Sequence, residues 1–82
     1  MNPDQISQSL SEFLISRFPA LNDSLTPETS LIDSGAVDSL GILEVVGFLG
    51  EQFGIEIEDD DFEPENFENI NSLTRFIIEK RA

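Results

Sequence analysis

Apolar residues recur at helical spacing in the first part of the chain. They lie one, three or four positions apart, which places them on one side of an α-helix. These residues are Ile6, Leu10, Phe13, Leu14 and Phe18. Pro3 suits the first turn of a helix, and Pro19 ends the pattern because its ring disfavours α conformation at the preceding residue. The pattern predicts a first helix from about Pro3 to Phe18.

A long polar segment follows, from about Ala20 to Val37, and is rich in Asn, Asp, Ser, Thr, Pro and Gly. A connection of this length in a small domain is usually functional or hides a missed element, and "TPETSL" is a candidate for a short helical turn. Gly35 is expected to supply a positive φ before the next helix. Four apolar residues are candidates to fasten the segment to the core: Leu21, Leu25, Leu31 and Ile32.

A second helix is predicted from Ser39 or Leu40 to about Phe53, with Gly54 as its stop. One apolar stripe suits the core, and it contains Ile42, Val45, Val46, Leu49 and Phe53. A second set lies on a neighbouring face and contains Leu40, Leu43 and Gly47. The helix also holds three glycines, at 41, 47 and 50, each costing roughly 0.5–1 kcal/mol relative to alanine. Close approach of another backbone or a ligand is one reason to accept that cost.

The rest of the chain predicts shorter elements. "GIEIEDDDF" reads as an extended connector into a short acidic helix or turn around Asp59 to Phe67, broken near Pro64. The last helix is predicted near Asn71 and Ser72, a good N-cap pair, and presents Leu73, Phe76 and Ile77 to the core. The 82 residues therefore predict one domain over 1–82. Its fold class is all-α, a small four-helix bundle with three main helices, a short third helix and a long first loop.

Charge and composition exclude several functions. Seventeen acidic and four basic residues give a net charge of −13, which repels nucleic acids and anionic membranes and favours basic partner surfaces. Cysteine and histidine are absent, so the chain lacks a thiolate nucleophile, the commonest general base and the commonest metal ligand. Residues 1–20 include Asp4 and Glu12 and form no basic leader, and no apolar run is long enough for a transmembrane segment. A cytoplasmic monomer is expected.

The acidic run is not expected to form a metal site or a catalytic centre. An EF-hand loop needs glycine at its sixth position, where counting from Asp59 or Asp61 gives Pro64 or Asn66. Weak divalent-cation binding by clustered carboxylates stays open. Carboxylate pairs arise by chance among seventeen acids, and catalysis would need a pocket that perturbs their pKa values. We do not expect an enzyme.

Ser39 allows two interpretations. Either Asp38 or Ser39 is a suitable N-cap for the second helix, worth about 1 kcal/mol. A serine at an exposed helix start is also accessible to a phospho-linked modification, because the helix N-terminus stabilises negative charge. Without a histidine to activate Ser39, another enzyme would have to supply the catalytic groups.

The stretch "SGAVDSLGILEVVGFLGEQFGIEI" closely resembles the acyl carrier proteins, whose hallmark is Asp-Ser-Leu at the start of the second of four helices. The resemblance extends over nearly the whole chain. It implies that Ser39 carries 4′-phosphopantetheine, transferred from coenzyme A by a magnesium-dependent phosphopantetheinyl transferase that Asp38 helps to position. The arm ends in a thiol that holds cargo as a thioester. The implied partner surface consists of Leu40, Leu43 and Gly47, flanked by Glu44 and Glu51.

One departure concerns the cargo. Carriers of ordinary fatty acid synthesis usually have an acid after Asp-Ser-Leu, where this chain has Gly41. The sequence is more similar to D-alanyl carriers and free-standing aminoacyl carriers. That resemblance implies loading by an acyl- or aminoacyl-activating ligase and delivery to a downstream acyltransferase or synthase with a basic docking surface. The alternative is an acidic protein-interaction module with the carrier fold and no prosthetic group.

Overall fold

The computed structural model describes residues 2–21 and 25–81. Three α-helices dominate this part of the chain: α1 (Pro3–Arg17), α2 (Ser39–Phe53) and α3 (Ile70–Arg81). Short 3₁₀ helices lie at Pro19–Leu21, Asp59–Asp61 and Pro64–Phe67, and the described residues include no strand. The predicted all-α fold with three main helices and a long first loop is confirmed. The predicted short third helix is a pair of 3₁₀ turns, interrupted just before Pro64 as expected.

The ends of α1 follow from local side-chain chemistry. The Asn2 Oδ1 accepts a hydrogen bond from the Gln5 N–H (2.8 Å), and the Gln5 Oε1 accepts one from the Asn2 N–H (3.1 Å). This reciprocal capping box satisfies two backbone donors at the helix start. At the other end Phe18 leaves the α region (φ −125°, ψ 83°), as predicted for a residue before proline.

One hydrophobic core is shared by the three helices and by parts of the loops between them. Ring stacking adds to it, since the Phe13 and Phe48 rings lie 4.0 Å apart at 13° and join α1 to α2. The predicted stripe of α2 faces the core, with Ile42 and Val46 at its partly buried margin. The buried apolar residues are Ile6, Leu10, Leu14, Leu21, Leu31, Val37, Val45, Leu49, Phe53, Ile55, Phe67, Ile70, Leu73, Phe76 and Ile77.

Backbone hydrogen bonds fasten the first loop to the start of α3. The Leu31 N–H donates to the Glu68 carbonyl (2.8 Å), and the Asn71 N–H donates to the Pro27 carbonyl (3.2 Å). Gly35 has the predicted positive φ, at 80°. The "TPETSL" stretch holds a turn at residues 27–28 and no helix.

Two expectations about these segments are wrong. Ile32 is 41% exposed, because the chain turns at residues 31–34 and buries Leu31 instead. The α3 cap is not the Asn71–Ser72 pair, since the Asn69 Oδ1 accepts the Ser72 N–H (2.8 Å). The earlier start places Ile70 in the first turn, in helical register with Leu73 and Ile77, and all three are buried.

Asp61 ties the acidic segment to α3. Its Oδ2 lies 2.9 Å from the Lys80 Nζ and accepts the Glu58 N–H at 2.9 Å. The Asn66 side-chain amide also donates to the Asp61 carbonyl (2.9 Å). The Glu58 N–H and then the Lys80 ammonium hold the pKa of Asp61 below its ordinary 3.8. The Asp61 carboxylate in turn raises the pKa of Lys80 above its ordinary 10.5.

Replacing Asp61 with Asn is expected to destabilise the fold at neutral pH and to matter less in acid. The carboxylate stabilises the folded state fully above its unfolded pKa near 3.8, and this contribution is lost as pH falls through the lower folded-state pKa. The charged Lys80 ammonium also stabilises the folded state. This contribution is complete below pH 10.5, its ordinary pKa, and is lost as the pH rises through its raised folded-state pKa. Urea unfolding of both proteins should give a stability difference that is constant between about pH 5 and about pH 9, shrinks below about pH 4, and shrinks again in strong alkali as Lys80 loses its charge.

Asp60→Asn is the matched control, because this neighbouring carboxylate is exposed and makes no ion pair with a described residue. A stability difference for Asp61→Asn that stays constant down to the lowest pH, or that Asp60→Asn reproduces, would contradict the assignment.

Candidate functional site

Asp38, and not Ser39, caps α2. Asp38 has extended backbone (φ −97°, ψ −171°), and its Oδ1 accepts the Gly41 N–H at 2.8 Å. The Asp38 carbonyl accepts the Ile42 N–H at 2.9 Å and begins the helical hydrogen-bond series. Of the two residues that the sequence offers as the N-cap, Asp38 is therefore the cap, and Ser39 is the first residue of the helix.

The Ser39 side chain is exposed, and no hydrogen bond joins its hydroxyl to any residue that the structure describes. It lies at the positive end of the α2 dipole, where backbone N–H groups favour a phosphate. The hydroxyl is thus accessible to a modifying enzyme and has no structural role that modification would remove. This local arrangement fits a phosphopantetheine ester on Ser39.

Gly41 seats the start of α2 on the end of α1. A Cβ at this position would lie 2.9 Å from the Phe18 Cε1 and 3.0 Å from the Val37 Cγ1, closer than ordinary packing allows. Close approach, here of side chains, therefore explains this glycine. It does not explain the others, since a Cβ at Gly50 would make an ordinary 3.7 Å contact and one at Gly47 would meet nothing within 4 Å.

The predicted partner residues lie together on the solvent side of α2. Leu40 is 74% exposed and Leu43 is 59% exposed, and Gly47 leaves an open spot beside them. Glu44 and Glu51 are exposed at the margin, and Glu44 pairs with Arg17. An exposed ion pair of this kind contributes little to stability.

An open cleft adjoins Ser39 on its other side. It is lined by Ile32, Gly35, Val37, Asp38, Ser39 and Ile42. Ile32 also lines a second cavity, between the first loop and the Pro64–Phe67 turn. The sequence did not indicate either feature. Ile32 was expected in the core, and the Pro64–Phe67 turn that faces the first loop lies more than 30 positions further along the chain.

Two further findings concern metals and membranes. Within residues 2–21 and 25–81, no three side chains of His, Cys, Asp or Glu are arranged to hold a metal ion. In the same part of the chain, the helices are too short or too polar to span a bilayer.

Asp38→Ala is expected to lower the free energy of unfolding by about 1 kcal/mol, because it removes the α2 cap. Asp38→Asn should retain most of the stability, since asparagine also caps well. Ser39→Ala should change stability by less than about 0.5 kcal/mol, as for other exposed positions. Thermal and urea unfolding measure all three, and an effect of Ser39→Ala as large as that of Asp38→Ala would refute the assignment of the cap.

Gly41→Ala and Gly47→Ala should change stability in opposite directions. At Gly47 the added methyl meets open space, so alanine should stabilise the helix by about 0.5–1 kcal/mol. At Gly41 the methyl must displace Phe18 or Val37, and overpacking of about 1–3 kcal/mol outweighs the gain in helix propensity. Urea unfolding measures both variants. If both are stabilised equally, Phe18 moves aside for the added methyl without a loss of stability, and the packing argument for Gly41 is wrong.

Comparison with known proteins identifies the family. The model of the phosphopantetheine attachment site matches residues 8–77. The acyl carrier protein of Rubrobacter xylanophilus is 29% identical over 82 residues, covering all of this chain and 99% of that protein. The acyl carrier protein of Clostridium perfringens is 31% identical over 70 residues, covering 85% of this chain and 90% of that protein.

The crystal structure of a FAD-dependent dehydrogenase also contains a similar chain. That chain matches with a TM-score of 0.65 and 32% identity, over 70% of this chain and 80% of its own length. The resemblance drawn from the Asp-Ser-Leu motif is confirmed, and so is 4′-phosphopantetheine as the group that this domain carries. The chain is a carrier protein and belongs to the phosphopantetheine-attachment family that includes the acyl carrier proteins.

Proposed function

We propose that residues 1–82 form a single carrier domain with 4′-phosphopantetheine on Ser39. It holds acyl or aminoacyl groups as thioesters, presents them to partner enzymes and is not itself an enzyme. The observation that carries this proposal is the exposed Ser39 hydroxyl at the first position of α2, within the Asp-Ser-Leu motif and relieved of capping by Asp38.

Attachment forms one bond and breaks another. The Ser39 Oγ attacks the pantetheine-side phosphorus of coenzyme A, an Oγ–P bond forms, and the P–O bond to the adenosine bisphosphate leaving group breaks. The serine proton passes to a base of the transferase, because this chain has no histidine. When bound, the group supplies the thiol that this cysteine-free chain lacks.

Asp38 serves this step in two ways. Its side chain fixes the first turn of α2 through the Gly41 N–H, which holds the backbone of Ser39 in helical conformation. Its second carboxylate oxygen, Oδ2, makes no hydrogen bond to a described residue. That oxygen is free to help position the transferase and its magnesium ion.

The exposed face of α2 is the proposed docking surface. Leu40, Leu43 and Gly47 offer apolar and open area, and Glu44 and Glu51 give it an acidic margin. Such a surface suits partners with basic rims and an apolar centre. Proposed partners are the phosphopantetheinyl transferase, an acyl- or aminoacyl-activating ligase, and a downstream acyltransferase or synthase. The similar solved chain lies in the crystal structure of a FAD-dependent dehydrogenase, so an enzyme of that class is a further proposed partner.

The cargo class is proposed only as acyl or aminoacyl. The similarity of Asp-Ser-Leu-Gly to aminoacyl carriers depends on Gly41, and this glycine has a packing reason of its own against Phe18 and Val37. The two bacterial relatives are named acyl carrier proteins. Neither observation therefore separates the two classes.

Incubation with coenzyme A, magnesium and a broad-specificity phosphopantetheinyl transferase should add one phosphopantetheinyl group, seen by intact-mass spectrometry. Ser39→Ala should remain unmodified while keeping its fold and stability. Ser34→Ala, which removes a nearby exposed serine, should be modified like the wild type.

Addition to Ser39→Ala would overturn the site. Failure of the folded wild-type chain to accept the group would instead favour the alternative, an acidic interaction module that docks basic partners without a prosthetic group. The fold of each variant is checked by circular dichroism before the reaction, so that a misfolded protein is not read as an unreactive one.

A further inference from the structure

The open cleft beside Ser39 includes the attachment residue itself in its lining and has a volume of about 290 Å³. Asp38 and Ser39 supply its polar lining. The rest of the lining carries no polar side chain and consists of Ile32, Gly35, Val37 and Ile42. A group attached to the Ser39 hydroxyl is therefore in contact with an apolar concave surface from its first atoms onward.

The wall that the first loop contributes is fixed by backbone hydrogen bonds. The Gly35 N–H donates to the Ile32 carbonyl (3.0 Å), and the Val37 N–H donates to the Leu31 carbonyl (3.1 Å). These two bonds close the turn that carries Ile32, and Gly35 completes it with a φ of 80°. Because the wall is already ordered, a group that enters the cleft loses little free energy in ordering it.

The packing of the core does not explain why Ile32 faces water. Its neighbour Leu31 takes the buried position at 1% exposure, whereas Ile32 is 41% exposed. Ile42, which lines the same cleft, is only partly buried at the margin of the core. One exposed aliphatic side chain is ordinary on a protein surface, but two that line one concave cleft offer apolar area to an occupant.

The attachment point identifies the occupant. In phosphopantetheine, the carbon next to the phosphate-bearing methylene carries two methyl groups, and the amides and the thiol follow further along the arm. The phosphate followed by an apolar segment matches the protein, where Ser39 at the helix N-terminus adjoins apolar walls. A short covalent tether gives an effective concentration on the order of millimolar or higher, so a modest apolar contact is enough to seat the segment.

We propose that this cleft seats the dimethyl segment of the arm, with Ile32 and Ile42 flanking it and Ile32 as the positioning residue. The inference rests on the proposed attachment at Ser39 and deepens it by assigning the residues that orient the arm. The arm then leaves Ser39 on the side of the first loop. Leu40 and Leu43 do not line the cleft, so the docking surface stays open to a partner while the arm is seated.

The test uses the protein with the arm attached and no cargo, after intact-mass spectrometry has shown complete addition. The isoleucine and leucine methyl groups are ¹³C-labelled, and nuclear Overhauser effects (NOEs) are measured from the two methyl groups of the arm. NOEs to Ile32 and Ile42 are expected, and none to Leu40 or Leu43.

Three variants separate positioning from a general effect of substitution. Ile32→Ala should lower the ratio of seated to free arm by about three- to tenfold, because it removes most of one apolar wall, and the NOEs from the arm to Ile42 should weaken accordingly. Ile32→Val should restore most of their intensity. Ile78→Ala is the matched control, since Ile78 is also 41% exposed and lies on α3 outside the cleft lining, and it should behave like the wild type.

The two proposals fail in different ways. If the transferase adds no mass to the folded chain, the attachment at Ser39 is wrong and the seat falls with it. If mass is added, three results would each overturn the seat alone: no NOE from the arm to Ile32 or Ile42, NOEs to Leu40 and Leu43 of equal strength, or the same NOEs in Ile32→Ala as in Ile78→Ala. Both alanine variants replace exposed side chains, so circular dichroism should show an intact fold for each.

Discussion

The site depends on how Gly41 is held. Its N–H donates to the Asp38 side chain, and Phe18 and Val37 lie so close to it that a Cβ would not fit, so the start of α2 is held by a cap and packs closely beside the end of α1. Phe18 is in position for this contact because Pro19 ends α1 immediately after it. The same arrangement leaves Ser39 at the helix start with an exposed hydroxyl. Accessibility at Ser39 is thus a consequence of close packing two residues away.

The exposed face of α2 is costly to the free protein, and this favours a role in binding. Leu40 is 74% exposed and Leu43 is 59% exposed. Burying either side chain in an interface would contribute about 1–2 kcal/mol to the free energy of binding. Gly47 adds a helix-propensity cost that no internal contact explains. Copies of the chain do not cover this face readily, because each carries a net charge of −13. A partner surface with an apolar centre and a basic rim would bury the two leucines and also attract the acidic residues beside them.

The sequence predicts the helices well because their signals are local. Apolar spacing marks the buried faces, and Pro19 and Gly54 end α1 and α2 close to where the structure ends them. It fails where the deciding contact is distant. Asn69 and Asn71 are equally good caps, and burial of Ile70 selects the first. The exposure of Ile32 follows from the bond between Leu31 and Glu68, which no periodicity signals.

The candidate site shows the same division. Propensity alone leaves Asp38 and Ser39 equal as caps, and only the resemblance to carrier proteins singles out the serine; the structure then shows that the cap rests on Asp38. For the cargo, the motif suggests a specific role and the structure gives a simpler reason for the same residue. Gly41 resembles a specificity signature, yet its contact with Phe18 accounts for it without any cargo. A motif residue that packing already requires carries little information about substrate. Cargo preference is therefore better sought in surfaces beside Ser39 that packing leaves open, such as the cleft lined by Ile32, Gly35 and Ile42.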